Sequence, residues 1–153
     1  MNKKIVIGVI ALVALLFFLG CTSTADTKEN NVALSETENQ ITIPLNGITS
    51  QAQFFEYDSD GTKIKFFALK ASDGSIKTAF DACDVCYSAK KGYRQEGDYM
   101  ICNNCGNKYA IASLGTENKK GGGCWPGYLP SEVSGNNIVI NKTDLEIGKY
   151  RFV

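Results

Sequence analysis

Two Cys-x-x-Cys pairs, Cys83/Cys86 in CDVC and Cys102/Cys105 in CNNC, are separated by fifteen residues and carry the clearest chemistry in the chain. Within one such turn both thiolates reach a single metal ion while the backbone folds round them. Two turns at the ends of a short hairpin supply four sulfurs, a set that suits tetrahedral zinc, a single iron or a cubane cluster. The separation falls at the short end of the window for zinc-ribbon and rubredoxin-type sites. The same cysteines also suit two disulfides or one reversible dithiol, so the residues alone leave metal and disulfide chemistry both open. The chain has no histidine, which excludes His-containing zinc sites, a Rieske centre and covalent haem attachment through Cys-x-x-Cys-His.

The segment between the pairs has the pattern of a hairpin. Gly92–Gln95 and Tyr99–Ile101 read as opposing strands, with Glu96-Gly97-Asp98 as the turn. Gly106 follows the second pair, where a positive φ turns backbone N–H groups toward sulfur and tunes a redox centre. Tyr87 holds the equivalent place after the first pair, so the two turns are not equivalent. Tyr87, Tyr93, Tyr99 and Trp125 are aromatic side chains suited either to shielding a metal or to an ordinary core.

A further cysteine, Cys124, follows Gly121-Gly122-Gly123 and precedes Trp125-Pro126. Six cysteines less one at the N-terminus leave an odd number, so Cys124 is an extra ligand, a redox thiol or a small buried thiol beside Trp125. Glycines allow the backbone close to a ligand and Pro126 fixes the chain's exit, which favours a role in the site.

The elements that must hold these residues are strands. Ile41–Ile43 begins the ordered part, and Pro44 marks a strand end. Ala52–Tyr57, Lys63–Lys70 and Ile76–Ala82 form a meander whose turns are Asp60-Gly61 and Asp73-Gly74. In KIKFFALK, Ile64, Phe66 and Ala68 alternate with Lys63, Lys65 and Phe67, as in a strand with one mostly wet face. Beyond the second pair, Lys108–Ser113 reads as a strand and 118–123 as a loop. A hairpin over 132–140 follows, and Lys149–Val153 reads as a closing edge strand. The expected fold is mainly β: a small antiparallel sheet carrying a zinc-ribbon or rubredoxin-like cysteine hairpin.

At 153 residues the chain has room for one domain beyond its N-terminal segment. Lys3-Lys4 precede Ile5–Leu19, a fifteen-residue apolar run ending in FLGC at Cys21. A helix of that length spans about 22 Å, short of the ~30 Å hydrocarbon core, so a secretory signal fits better than a spanning helix. The expected division is a lipoprotein-type signal over 1–20, a flexible polar tether over 21–40 and the metal-binding domain over 41–153. Lipid on the Cys21 sulfur would place the domain on the extracytoplasmic face of the cell membrane; an uncleaved N-terminal anchor would tether it equally. The 16 basic and 16 acidic residues balance, which gives no support for a nucleic-acid partner. Without histidine the usual general base is missing, and the carboxylates form no catalytic motif. Electron transfer or metal binding fits better than conventional enzyme chemistry.

The runs FDACDVCYSAKKGYRQEGDYMICNNCGNKYAI and GGGCWPGYLP, approached through KIKFFALKASDGSIKTAFDAC, resemble the FtrD-like membrane iron–sulfur protein family. The resemblance covers roughly Ile41 to the C-terminus, though Trp125 stands where the family's third motif has Asn. It implies an iron–sulfur cluster or mononuclear iron at Cys83, Cys86, Cys102 and Cys105, with Cys124 as the third-motif cysteine. It also implies an electron-transfer or iron-uptake role beside a redox partner or a membrane iron permease. Many members carry this domain after several membrane spans, whereas only the N-terminal signal is read here. A structural zinc ribbon in an interaction domain is the alternative, and a thiol–disulfide oxidoreductase the second.

Overall fold

The computed structural model describes residues 32–153. The signal expected over 1–20 and Cys21, the expected lipidation site, lie outside the described residues. Among the described residues ten short strands make three small antiparallel sheets, joined by one α-helix near the C-terminus. The first sheet has the order β1-β2-β10-β9, from β1 (Ser35–Glu36), β2 (Gln40–Pro44), β9 (Glu132–Ser134) and β10 (Asn137–Asn141). The second is the expected meander of β3 (Gln53–Ser59), β4 (Thr62–Lys70) and β5 (Ile76–Phe80). The third comprises β6 (Tyr93–Glu96), β7 (Tyr99–Cys102) and β8 (Lys108–Ala110), in that order. No helix among the described residues is long and apolar enough to cross a membrane.

The fold begins before Ile41. Ser35 and Glu36 pair with Thr42 and Ile41, while Val32 and Leu34 pack on the core. Those isolated apolar residues are what draw the end of the polar segment onto the first sheet. Ile41 and Ile43 of β2 face inward with Ile138 and Ile140 of β10, and the register Ile43↔Ile138 and Ile41↔Ile140 matches the two buried rows.

Strand β4 departs from the expected single wet face. Lys63 and Lys65 are exposed, as the alternation requires, but Phe66, Phe67, Ala68 and Leu69 are all fully buried. The strand lies between two cores. Ile64, Phe66 and Ala68 join a first core built on the first sheet and Leu145, while Phe67 and Leu69 enter a second core with Cys83, Cys102, Tyr93, Met100 and Tyr109. Each fully buried Phe contributes about 2–3 kcal/mol of transfer free energy, so one strand binds platform and cysteine lobe together.

The C-terminus is not an edge strand. After β10 the chain forms helix α1 (Lys142–Gly148) and then a 3-10 turn over Lys149–Arg151. Leu145 anchors the helix in the first core, and a Cβ on Gly148 would collide with the Phe80 ring, so glycine lets the helix end flat on that ring. Phe152 then packs on Phe80 at 6.2 Å between ring centroids, a contact a strand running away from the core would not make. The strand expected over Lys108–Ser113 stops at Ala110 and becomes a 3-10 turn at Ile111–Ser113.

Candidate metal centre

The first cysteine pair follows directly from β5. Phe80 N–H donates to the Gly127 carbonyl and Gly127 N–H donates to the Ala82 carbonyl, both at 2.8 Å, and Ala79 bridges Tyr128. These bonds stitch the segment after Cys124-Trp125-Pro126 to the strand end just before Cys83. Cys83 and Cys124, 41 positions apart in the sequence, are thereby brought together.

The loop bearing Cys124 has further supports. Asn118 is buried; its Nδ2 donates to the Pro126 carbonyl at 3.0 Å and its Oδ1 accepts from Gly115 N–H at 2.6 Å. Tyr93 Oη donates to the Cys124 carbonyl at 2.5 Å, and Trp125 lies 4.7 Å from the Tyr109 ring. Asn118 and Tyr109 were not among the residues singled out from sequence. A lone buried Asn between turns carries no spacing signal, and Tyr109 reads as an ordinary strand aromatic.

The five thiols of the described residues form two groups. Cys83, Cys86 and Cys124 have their sulfurs within 4.8 Å of one another, and so do Cys86, Cys102 and Cys105. Cys86 is the shared corner. The third-motif cysteine therefore stands with the first pair, and the two Cys-x-x-Cys turns meet through Cys86 rather than as one set of four. Cys83 and Cys102 are buried, Cys86 and Cys124 half-buried, and Cys105 exposed.

Hydrogen bonds and burial shift the thiols of Cys86, Cys102 and Cys124 in opposite directions. Cys86 N–H donates to Cys83 Sγ at 2.9 Å. Cys86 and Cys124 sulfurs lie 3.5 Å apart. The Asn104 side chain, then the Cys124 thiol, pull the Cys86 thiol down to about 7, whereas burial pushes Cys124 up to about 12. Burial also raises Cys102, against the opposing amides of Cys105 and Asn104. Gly106 takes the expected positive φ of 75°, yet its N–H donates to the Cys102 carbonyl at 2.8 Å, not to sulfur.

A cavity of about 350 Å³ opens beside the cysteines, lined by Cys83, Cys86 and Cys102 together with Lys65, Lys90 and Lys91. Asp81 also reaches the cavity; burial raises its carboxyl to about 6 although it accepts Tyr93 N–H at 2.6 Å. Of the four aromatics considered as shields, Tyr93 and Trp125 pack in the second core, Tyr87 lines the cavity and Tyr99 is exposed.

The family model for membrane iron–sulfur containing proteins of the FtrD-like type matches residues 48–152, which span the whole of this site. The chain belongs to the FtrD-like family. No curated relative and no solved structure matches it. The donor set fits the family's description: soft thiolates are the ligands that select iron–sulfur clusters, and every candidate ligand here is a cysteine. Family and cysteine cluster together support a metal-binding, iron-related protein of a membrane-associated family.

Proposed function

We propose that this chain is a membrane-tethered, extracytoplasmic iron–sulfur or mononuclear-iron protein that passes single electrons to or from a partner. The partner class is a redox protein or a membrane iron permease, with the domain serving iron uptake. Cys83, Cys86, Cys102, Cys105 and Cys124 are the residues that would hold the iron, and bound iron would supply a one-electron couple. The observation that carries the reading is the convergence of all five thiols around Cys86 inside the region matched by the family.

The surroundings support it. Buried Cys83 and Cys102 keep part of the site dry, while Cys105 is exposed and Cys86 and Cys124 are half-exposed, which gives the access an electron partner requires. Lys65, Lys90 and Lys91 line the cavity beside Cys83, Cys86 and Cys102, on the side where an all-thiolate centre would carry negative charge. The basic, apolar N-terminus ending at Cys21 supports a lipid tether outside the cytoplasmic membrane.

Anaerobic purification followed by iron, zinc and acid-labile sulfide analysis, with an absorption spectrum, tests the proposal. Iron accompanied by a broad visible absorption that bleaches on reduction is the expected result, with sulfide deciding between cluster and single iron. Zinc in a colourless protein, unchanged by iron-supplemented expression, would overturn it in favour of a structural ribbon.

A further inference from the structure

The sulfurs of Cys86 and Cys124 are in contact at 3.5 Å. They belong to different motifs, 38 residues apart, so this pair is not either of the Cys-x-x-Cys dithiols. Both are half-buried and reachable from solvent, whereas Cys83 and Cys102 are each 2% exposed. Cys83 is further engaged by the Cys86 amide. A disulfide needs sulfurs about 2 Å apart, so the pair must close by roughly 1.5 Å. The Cys124 side follows Gly121, Gly122 and Gly123, all at positive φ with open space around them, a segment without side chains to resist a small shift.

We propose that Cys86 and Cys124 form an oxidative modification site: hydrogen peroxide joins them in a disulfide that prevents the site from taking up metal. One thiol, Cys86, attacks the peroxide O–O bond and becomes a sulfenic acid as the first water leaves. The Cys124 sulfur then attacks the Cys86 sulfur; the S–S bond forms, the S–O bond breaks and the second water leaves. Two thiols and one peroxide give one disulfide and two waters, and the two electrons lost by sulfur reduce the peroxide oxygens.

The consequence comes from the shared corner. Metal ligation needs free thiolates. The disulfide leaves Cys83 alone in the first group and only Cys102 and Cys105 in the second. A single bond thus disables both groups, and bound metal, by occupying Cys86, protects against it. This loading effect rests on the proposed metal-binding function; the cross-link itself does not.

The test uses the full chain, metal-free and reduced, exposed to hydrogen peroxide, alkylated and digested with trypsin. The expected product joins peptide 78–90, which holds Cys83 and Cys86, to peptide 121–142, which holds Cys124, with Cys83 alkylated. Cys124→Ser should give no such product. The oxidised wild-type chain should fail to load Co(II), read from its thiolate absorption, and regain loading after dithiothreitol. A disulfide within 78–90, or within 95–108 where Cys102 and Cys105 lie, would overturn the proposal, as would full Co(II) loading of the cross-linked chain. If the reduced chain takes up neither Co(II) nor iron, the metal-binding function fails while the peptide map still decides the cross-link.

Discussion

The two Cys-x-x-Cys turns share a spacing but are held in different ways. The second is a local object: Cys102 ends β7, opposite Tyr93 in the register, and its amide donates to the Asn107 carbonyl at 3.0 Å, closing the turn into β8. Asn103 adds short-range ties, accepting from Arg94 and donating to the Lys91 carbonyl, each at 2.9 Å. The first turn lies between β5 and a 3-10 turn at Tyr87–Ala89 and is fastened from far away. Arg151 donates to Asp84 Oδ1 through Nε at 2.9 Å and Nη2 at 2.6 Å, and Tyr150 Oη donates to the same oxygen at 2.7 Å. Tyr150 also meets Tyr87 edge-on at 6.1 Å. One turn is built by its own hairpin; the other depends on the C-terminus, docked through α1 onto Phe80. Metal capture at the first turn, under the proposed function, would therefore depend on the C-terminus being docked.

The largest expected effect comes from the residue that joins the two turns. Cys86→Ser removes a sulfur from both groups and should abolish iron retention, whereas Cys105→Ser leaves the Cys83–Cys86–Cys124 group intact and should retain part of it. Iron per chain after desalting, with circular dichroism to check the fold, measures the difference. Equal iron content in the two variants would mean that Cys86 holds no special position.

Next are substitutions in the distant fastening. The Arg151 side chain is only 10% exposed while Asp84 is 35% exposed, so the pair is sheltered enough to matter. Arg151→Ala strips Asp84 of two charged hydrogen bonds and should cost about 1–3 kcal/mol. Asn103→Ala, the counterpart on the second turn, is exposed and should cost about 0.5–1.5 kcal/mol. Urea denaturation of the metal-free protein gives both values. Hydrogen exchange should show Arg151→Ala loosening residues 83–89 and leaving 102–108 unchanged. Loosening confined to the C-terminus would break the claimed link.

Gly148→Ala attacks the same link one step further away. The added methyl meets the Phe80 ring, and overpacking of this kind costs about 1–3 kcal/mol. Because the displaced ring lies three residues before Cys83, iron affinity should fall along with stability. Destabilisation with unaltered iron affinity would show that the first turn tolerates movement of its platform.

This asymmetry explains what was legible in the sequence. Spacing, turn residues and alternation revealed the central meander and the hairpin between the cysteine pairs because their contacts are local. The placement of Cys124 beside the first pair was not legible, since it depends on the Ala79–Tyr128 bridge and on Asn118, which no periodicity marks. Helix α1 escaped for a related reason: seven residues give barely two turns, too few for a 3.6-residue pattern to stand out. KIKFFALK misled in its second half because a strand buried on both faces appears only when a second core exists, and that core is assembled from the cysteine lobe.

The smallest effect isolates the local side of the comparison. Gly106 adopts φ 75° with no atom within 4 Å of where a Cβ would stand, so Gly106→Ala adds strain without a clash. The left-handed conformation costs a non-glycine residue about 1 kcal/mol, roughly a 3–6 °C fall in Tm for a domain of this size. Since the turn's bonds to Cys102 and Asn107 are made by backbone, they should survive the substitution. Thermal denaturation should therefore shift by a few degrees, with iron content unchanged. A loss of iron larger than that produced by Arg151→Ala would reverse the comparison, making the second turn the strained and sensitive one.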